Sequence, residues 1–142
     1  MAVSQLSIFA ENKRGGLVEL VTLLAESGID LRALSLADTQ DYGIVRMIVS
    51  DVEGASAALA GKGIVYSVTP VLAIALDDKP GSLARAMQAL SDGGVNLEYM
   101  YAFLSSHGGA CAIVRVSDND AAEALLASEG FKLLTQEELG AL

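Results

Sequence analysis

Two short stretches place an amide or carboxylate, a lysine and a glycine directly ahead of an apolar run of helical period. They are ENKRGGL, residues 11–17, and DDKPGSL, residues 77–83. Residues of these types at this spacing suit the recognition of a zwitterion. Gly15-Gly16 and Gly81-Ser82 open predicted helices, whose first amides lack intrahelical partners and whose dipole end is positive. A carboxylate is held there by the amides around Gly15, Gly16 and Leu17, or around Gly81, Ser82 and Leu83. Glycine also lets a ligand approach the backbone closely. The ammonium needs acceptors, and Asn12 and Asp78 supply them, each one step before a lysine, Lys13 or Lys79. The same residues have a plainer use, because Asn and Asp form turns and cap helices and glycine satisfies turn geometry on its own.

Elsewhere the chain offers little chemistry. No nucleophile, base and orienting acid stand together in any motif, so catalytic residues, metal ligands and a cofactor are not expected. Tyr99, Tyr101 and Phe103 alternate as one hydrophobic strand face. His107, in SSHGG, reads as a solvated turn residue and Cys111 as a small buried hydrophobe.

The two loops are parts of a longer repetition. Shifting the chain by sixty-six positions lays Lys13 on Lys79, Gly15 on Gly81, Leu24 on Leu90, Gly28 on Gly94 and Leu31 on Leu97. One inserted residue later, VSDVEGASAALAGKG (49–63) lies on VSDNDAAEALLASEG (116–130). Register held that long marks an internal duplication. The 142 residues therefore read as two small halves, 1–69 and 70–142, rather than one larger domain.

Each half carries the same order of elements. Apolar alternation in SQLSIF predicts a strand near 4–10, and Leu17, Leu20, Val21 and Leu24 recur at helical spacing up to the stop at Gly28. IDLRALSLADT follows as a strand, DYG as a turn and GIVRMIVSD as a β-branched strand. VEGASAALAGKG is a small-residue helix and IVYSV a strand that ends at Thr69-Pro70. The second half repeats this with VLAIAL, GSLARAMQALSDG, VNLEYMYAFLSS, ACAIVRVS, DAAEALLASEG and FKLL. Thr135 and Glu138 have capping-box spacing, so TQEELGAL closes as a short helix. Two βαββαβ units give an α+β fold: tandem ferredoxin-like units forming one continuous antiparallel sheet with helices on one face.

Composition narrows the function. A formal charge of −9 with scattered basic residues argues against nucleic acid. No apolar run reaches membrane-spanning length, the start has no signal-peptide pattern, and a single Cys suits a reducing cytoplasm. Among ferredoxin-like proteins, a metal carrier needs Cys-x-x-Cys in the first loop, an RNA binder needs aromatics and basic surface, and an acyl-phosphate hydrolase needs an arginine cradle. None is present.

FAENKRGGL and ALDDKPGSL, followed by AESGIDL and SDGGVNL, resemble the ACT domain, the small-molecule-sensing module of amino-acid metabolism. The resemblance spans residues 4–134. The second half has the family's phrase intact in Asp78, Pro80, Gly81 and Leu83, while the first has Arg14 where proline is expected. ADTQDYGIVRMIV and NLEYMYAF further resemble stand-alone tandem ACT proteins. The resemblance implies a non-catalytic regulatory protein that binds an amino acid or related metabolite, and a biosynthetic enzyme as partner. It further implies that the effector sits between ACT units, facing the start of the second strand at Asp30-Leu31 and Asn96-Leu97. Asn12 then pairs with Asn96 as a neutral site and Asp78 with Asp30 as an acidic one, the neutral site binding more tightly. The alternative is a structural adaptor with no ligand dependence. A homodimer or larger assembly is expected, because GIVRMIVSD and ACAIVRVS look apolar on both faces and helices cover only one.

Overall fold

The computed structural model describes residues 2–11, 13–38, 42–105 and 109–141, with Asp38 described by its backbone alone. Asn12 and His107 lie outside the described residues, as does the first residue of the expected DYG turn. Tyr42 and Gly43 belong to a strand.

The chain divides into two compact units, Ser4–Thr69 and Pro70–Leu142 with Met1–Val3. The first is built from β1 (Val3–Glu11), α1 (Gly16–Glu26), β2 (Leu31–Asp38), β3 (Tyr42–Val49), α2 (Val52–Gly61) and the start of β4 (Tyr66–Leu76). The second takes the rest of β4, then α3 (Ser82–Asp92), β5 (Leu97–Leu104), β6 (Ala110–Val116), α4 (Asn119–Ser128), β7 (Lys132–Leu133) and α5 (Gln136–Gly140).

Within the first unit the strands run β2-β3-β1-β4, with Ile8 opposite Val45 and Leu6 opposite Met47. The Phe9 amide donates to the Val65 carbonyl at 3.1 Å, where the chain enters β4. Within the second unit the order is β5-β6-β4-β7, with Ile74 opposite both Ala112 and Leu133. Both are the antiparallel ferredoxin-like arrangement. Each sheet directs one set of alternating side chains at its helices. Leu6, Ile8, Val45 and Met47 meet Leu20, Leu24, Ala55 and Leu59 in the first core. Leu72, Ile74, Ala112 and Val114 meet Ala86, Leu90, Ala122 and Leu126 in the second.

The two units share the bonds that close and cap their helices. Gly28 and Gly94, just past α1 and α3, have φ of +72° and +74°, which only glycine adopts freely. The Ile64 amide donates to Leu59 and the Phe131 amide to Leu126, each at 3.0 Å. Asp51 and Asp118 cap α2 and α4 by accepting from the amides of Gly54 and Ala121. Past the repeat, Thr135 and Glu138 form the expected capping box of α5.

Two expectations need correction. The strand of the first half does not stop at Thr69-Pro70: β4 passes through both residues without a break. Proline lacks a donor but fits extended φ, and the Pro70 carbonyl accepts from Arg115 at 2.7 Å and from Asn119 at 3.3 Å. Nor is the sheet face away from the helices left open in the second unit. Ala73, Cys111 and Ile113 are buried within the single chain, so that part of the argument for a second copy falls.

Candidate functional site

Each loop is fixed by a left-handed glycine at the helix N-cap, Gly15 at φ +83° and Gly81 at φ +94°. A side chain there would be strained, so the turn itself demands glycine. Inside the turns the Gly16 amide donates to the Lys13 carbonyl at 3.2 Å and the Ser82 amide to Lys79 at 3.4 Å. Those two amides are therefore engaged by the chain. At Gly16 an added Cβ would stand 3.3 Å from the Glu11 carbonyl, so space is a second reason for glycine. Lys13 and Lys79 lean back on Glu11 (3.9 Å) and Asp77 (3.6 Å) in exposed pairs. Asp78 is exposed, Ser82 is buried, Leu17 packs on the first core and Leu83 is partly exposed.

Asp30 and Asn96 stand directly before β2 and β5 in matching clasps. The Asp30 amide donates to Ser50 Oγ at 3.0 Å, and the Ser50 amide returns to the Asp30 carbonyl at 2.9 Å. Asn96 and Ser117 exchange the same two bonds at 3.1 and 2.9 Å. The Asp30 carboxylate lies 3.4 Å from Arg32, so it is not a bare acid as the sequence implied. Leu31 and Leu97 pack against their cores. In each unit the loop and the strand start stand at opposite ends of an 11-residue helix, about 15 Å apart. Neither unit brings its own two groups together.

Sequence reasoning missed a cavity of about 750 Å³ in the first unit, between α1, the end of β1 and the connection from α2 to β4. Ile8, Leu20, Leu23 and Ile64 line it, with Glu19, Glu26 and Lys62 also on its wall. At the equivalent place the second unit has about 240 Å³. There the Arg85 guanidinium sits 4.8 Å from the centre of the Phe131 ring. The signal was present in the repeat, at mismatches rather than matches: Glu19 aligns with Arg85, Lys62 with Glu129 and Ile64 with Phe131. Two further details concern ionisation. Burial pushes the Cys111 thiol up to about 12. The Glu138 carboxyl is held below its usual range by the Thr135 amide first and by Lys132 after it. Among the described residues no group of three His, Cys, Asp or Glu could hold a metal, and no helix is long and apolar enough to cross a membrane.

Paired ferredoxin-like units, each with a glycine-turned loop opening its first helix, define a class of small tandem modules. The chain matches the ACT domain pair over residues 1–142 and belongs to that family. No curated protein matches it by sequence. Among solved structures, protein BT0572 of Bacteroides thetaiotaomicron is 39% identical, with a TM-score of 0.94 over 100% of this chain and 98% of that one. The ligand-free regulatory subunit of aspartate kinase from Thermus thermophilus shares the fold at 18% identity, with a TM-score of 0.63 over 88% of each chain. The corresponding Thermus flavus subunit is 20% identical, with a TM-score of 0.57 over 88% of each chain.

Proposed function

We propose that this protein is a non-catalytic regulatory module that binds an amino acid or a close metabolite through its two glycine-turned loops. The observation that carries the reading is the duplicated loop, with Gly15 and Gly81 both left-handed at a helix N-terminus. The carboxylate would meet the helix amides beyond the turn, at Leu17 or Leu83, since Gly16 and Ser82 already serve the turn. Asn12 or Asp78 would take the ammonium, beside Lys13 or Lys79, with Asp30-Leu31 and Asn96-Leu97 as the second recognition element. Membership of the ACT domain pair family supports a sensing role, and the Thermus neighbours are themselves regulatory subunits of an enzyme. A biosynthetic enzyme in the cytoplasm is the partner this implies.

Isothermal titration against the twenty amino acids and their keto acids tests the reading. One or more should give saturable heat, and Asn12→Ala should weaken that binding by about 1 kcal/mol or more, as for a lost hydrogen bond to a charged group. Flat traces throughout, with an enzyme co-purifying at fixed stoichiometry, would establish an adaptor instead. If Asp78→Ala proved the more damaging change, the ranking of the loops would reverse. We further propose a homodimer or larger assembly. Leu34 and Leu36 stand 41% and 54% exposed on β2, an edge strand that a second copy could cover. Light scattering should return a mass well above the 14.7 kDa of one chain.

A further inference from the structure

The cavity of the first unit and its smaller counterpart in the second describe a ligand between them. The two places are equivalent by backbone as well as by sequence: Glu19 and Arg85 each donate their amide 3.0 Å to the N-cap glycine carbonyl. In the second unit the chain supplies its own occupant, an aromatic ring from Phe131 with a guanidinium over it. The stacking satisfies both groups, since the ring face is the negative side of its quadrupole. In the first unit both parts of that occupant are missing. Ile64 is smaller than the ring it replaces, and Glu19 carries the charge opposite to Arg85. What remains is an apolar hollow of about 750 Å³, within the usual range for small-molecule pockets. Glu19 and Glu26 both face it from α1.

We propose that this cavity binds an apolar organic cation: a ring or branched body against Ile8, Leu23 and Ile64, with an amine or guanidine group at Glu19. The molecule would restore from outside what Phe131 and Arg85 provide from within. Carboxylates are disfavoured there. Lys13 is already engaged by Glu11, which leaves Lys62 to offset Glu19 and Glu26 on the wall. This site lies between α1, the end of β1 and the connection from α2 to β4. It shares Lys13 and Gly16 with the first loop, but a bare amine on an apolar body goes beyond the loop reading, which concerns zwitterions.

The test is calorimetric titration of the full chain with 2-phenylethylamine, with phenylacetate and phenylalanine as comparisons. A molecule of this size should bind with a dissociation constant on the order of 0.1–1 mM. Phenylacetate should give no saturable heat. Glu19→Gln, at an exposed position that leaves the core untouched, should weaken amine binding about fivefold or more. Installing the second unit's residues together, Glu19→Arg with Ile64→Phe, should abolish it. Amine binding that is absent in the wild type, unchanged in Glu19→Gln, or matched by phenylacetate would overturn the proposal. The cavity shares Lys13 and Gly16 with the first loop, so the variants separate the readings. Amino-acid binding at the loops should survive Glu19→Gln, amine binding should survive Asn12→Ala, and either reading can then fail alone.

Discussion

At matched positions the first unit has Glu19, Lys62 and Ile64 where the second has Arg85, Glu129 and Phe131, and the cavities beside them differ about threefold in volume. Yet the aspartate caps and the amide bonds that close each helix agree to within about 0.1 Å at most paired places, and the matched glycines share a left-handed φ to within about 15°. The difference teaches where a duplicated fold is free. Backbone bonds and buried alternation hold the unit together, so they are shared. The wall formed by α1 and the connection from α2 to β4 only partly contributes to the core, so its residues can change size and sign without unmaking the unit.

The strongest challenge to that comparison is to excavate both cores. Leu59 and Leu126 occupy equivalent, fully buried positions. Leu59→Ala and Leu126→Ala should each cost about 2–5 kcal/mol in urea unfolding followed by circular dichroism. A cost for one that is negligible beside the other would show that the units are alike in outline only. The next effect separates the units. At Gly93 an added Cβ would collide with the Leu125 side chain, whereas its counterpart Ser27 is exposed. Gly93→Ala should cost about 1–3 kcal/mol by overpacking, while Ser27→Ala stays within about 0.5 kcal/mol. A smaller and symmetrical effect belongs to the caps. Asp51→Ala and Asp118→Ala should each remove about 1 kcal/mol, by the same denaturation experiment.

Near neutral pH the smallest effect belongs to Cys111, and it shows only in alkali. Cys111 is buried and its thiol is raised from the ordinary 9.0 to about 12, while Ile44 at the matched place does not titrate. The folded chain thus keeps the thiol proton longer than the unfolded one. This contribution is fully present below pH 9 and is lost as pH rises from there towards 12. Stability of the wild type should decline more steeply over that window than that of Cys111→Ala. At pH 8 a thiol reagent should label Cys111 only after urea is added. Labelling of the native protein at the unfolded rate would sink the assignment.

Much of the fold was legible because the sequence states it twice. Helical spacing in LVELVTLLAESG, β-branching in GIVRMIV and the capping-box pair Thr135 and Glu138 each had a physical cause that the structure retains. Pro70 misled because it reads as a stop, while an extended chain admits it and its carbonyl finds donors elsewhere. Of the loops, the glycines were legible from turn geometry. The engagement of the Gly16 and Ser82 amides was not, since it depends on how tightly the turn closes. Arg32 beside Asp30 was in plain view, two residues along, but its reach across the strand start is a rotamer fact. The cavity went unseen because alignment rewards identities, and the hollow is made by three differences.

The clasps at the starts of β2 and β5 bear on inheritance. Ser50 and Ser117 grip the backbone of Asp30 and Asn96, not their side chains. Mutation at those two positions can therefore alter charge while leaving the strand where it is, and the copies already differ there by acid against amide. Purifying selection should fall on the serines, whose loss moves the strand, and drift should collect at their partners. A lineage could in this way change what a strand start attracts in single steps, each of them viable.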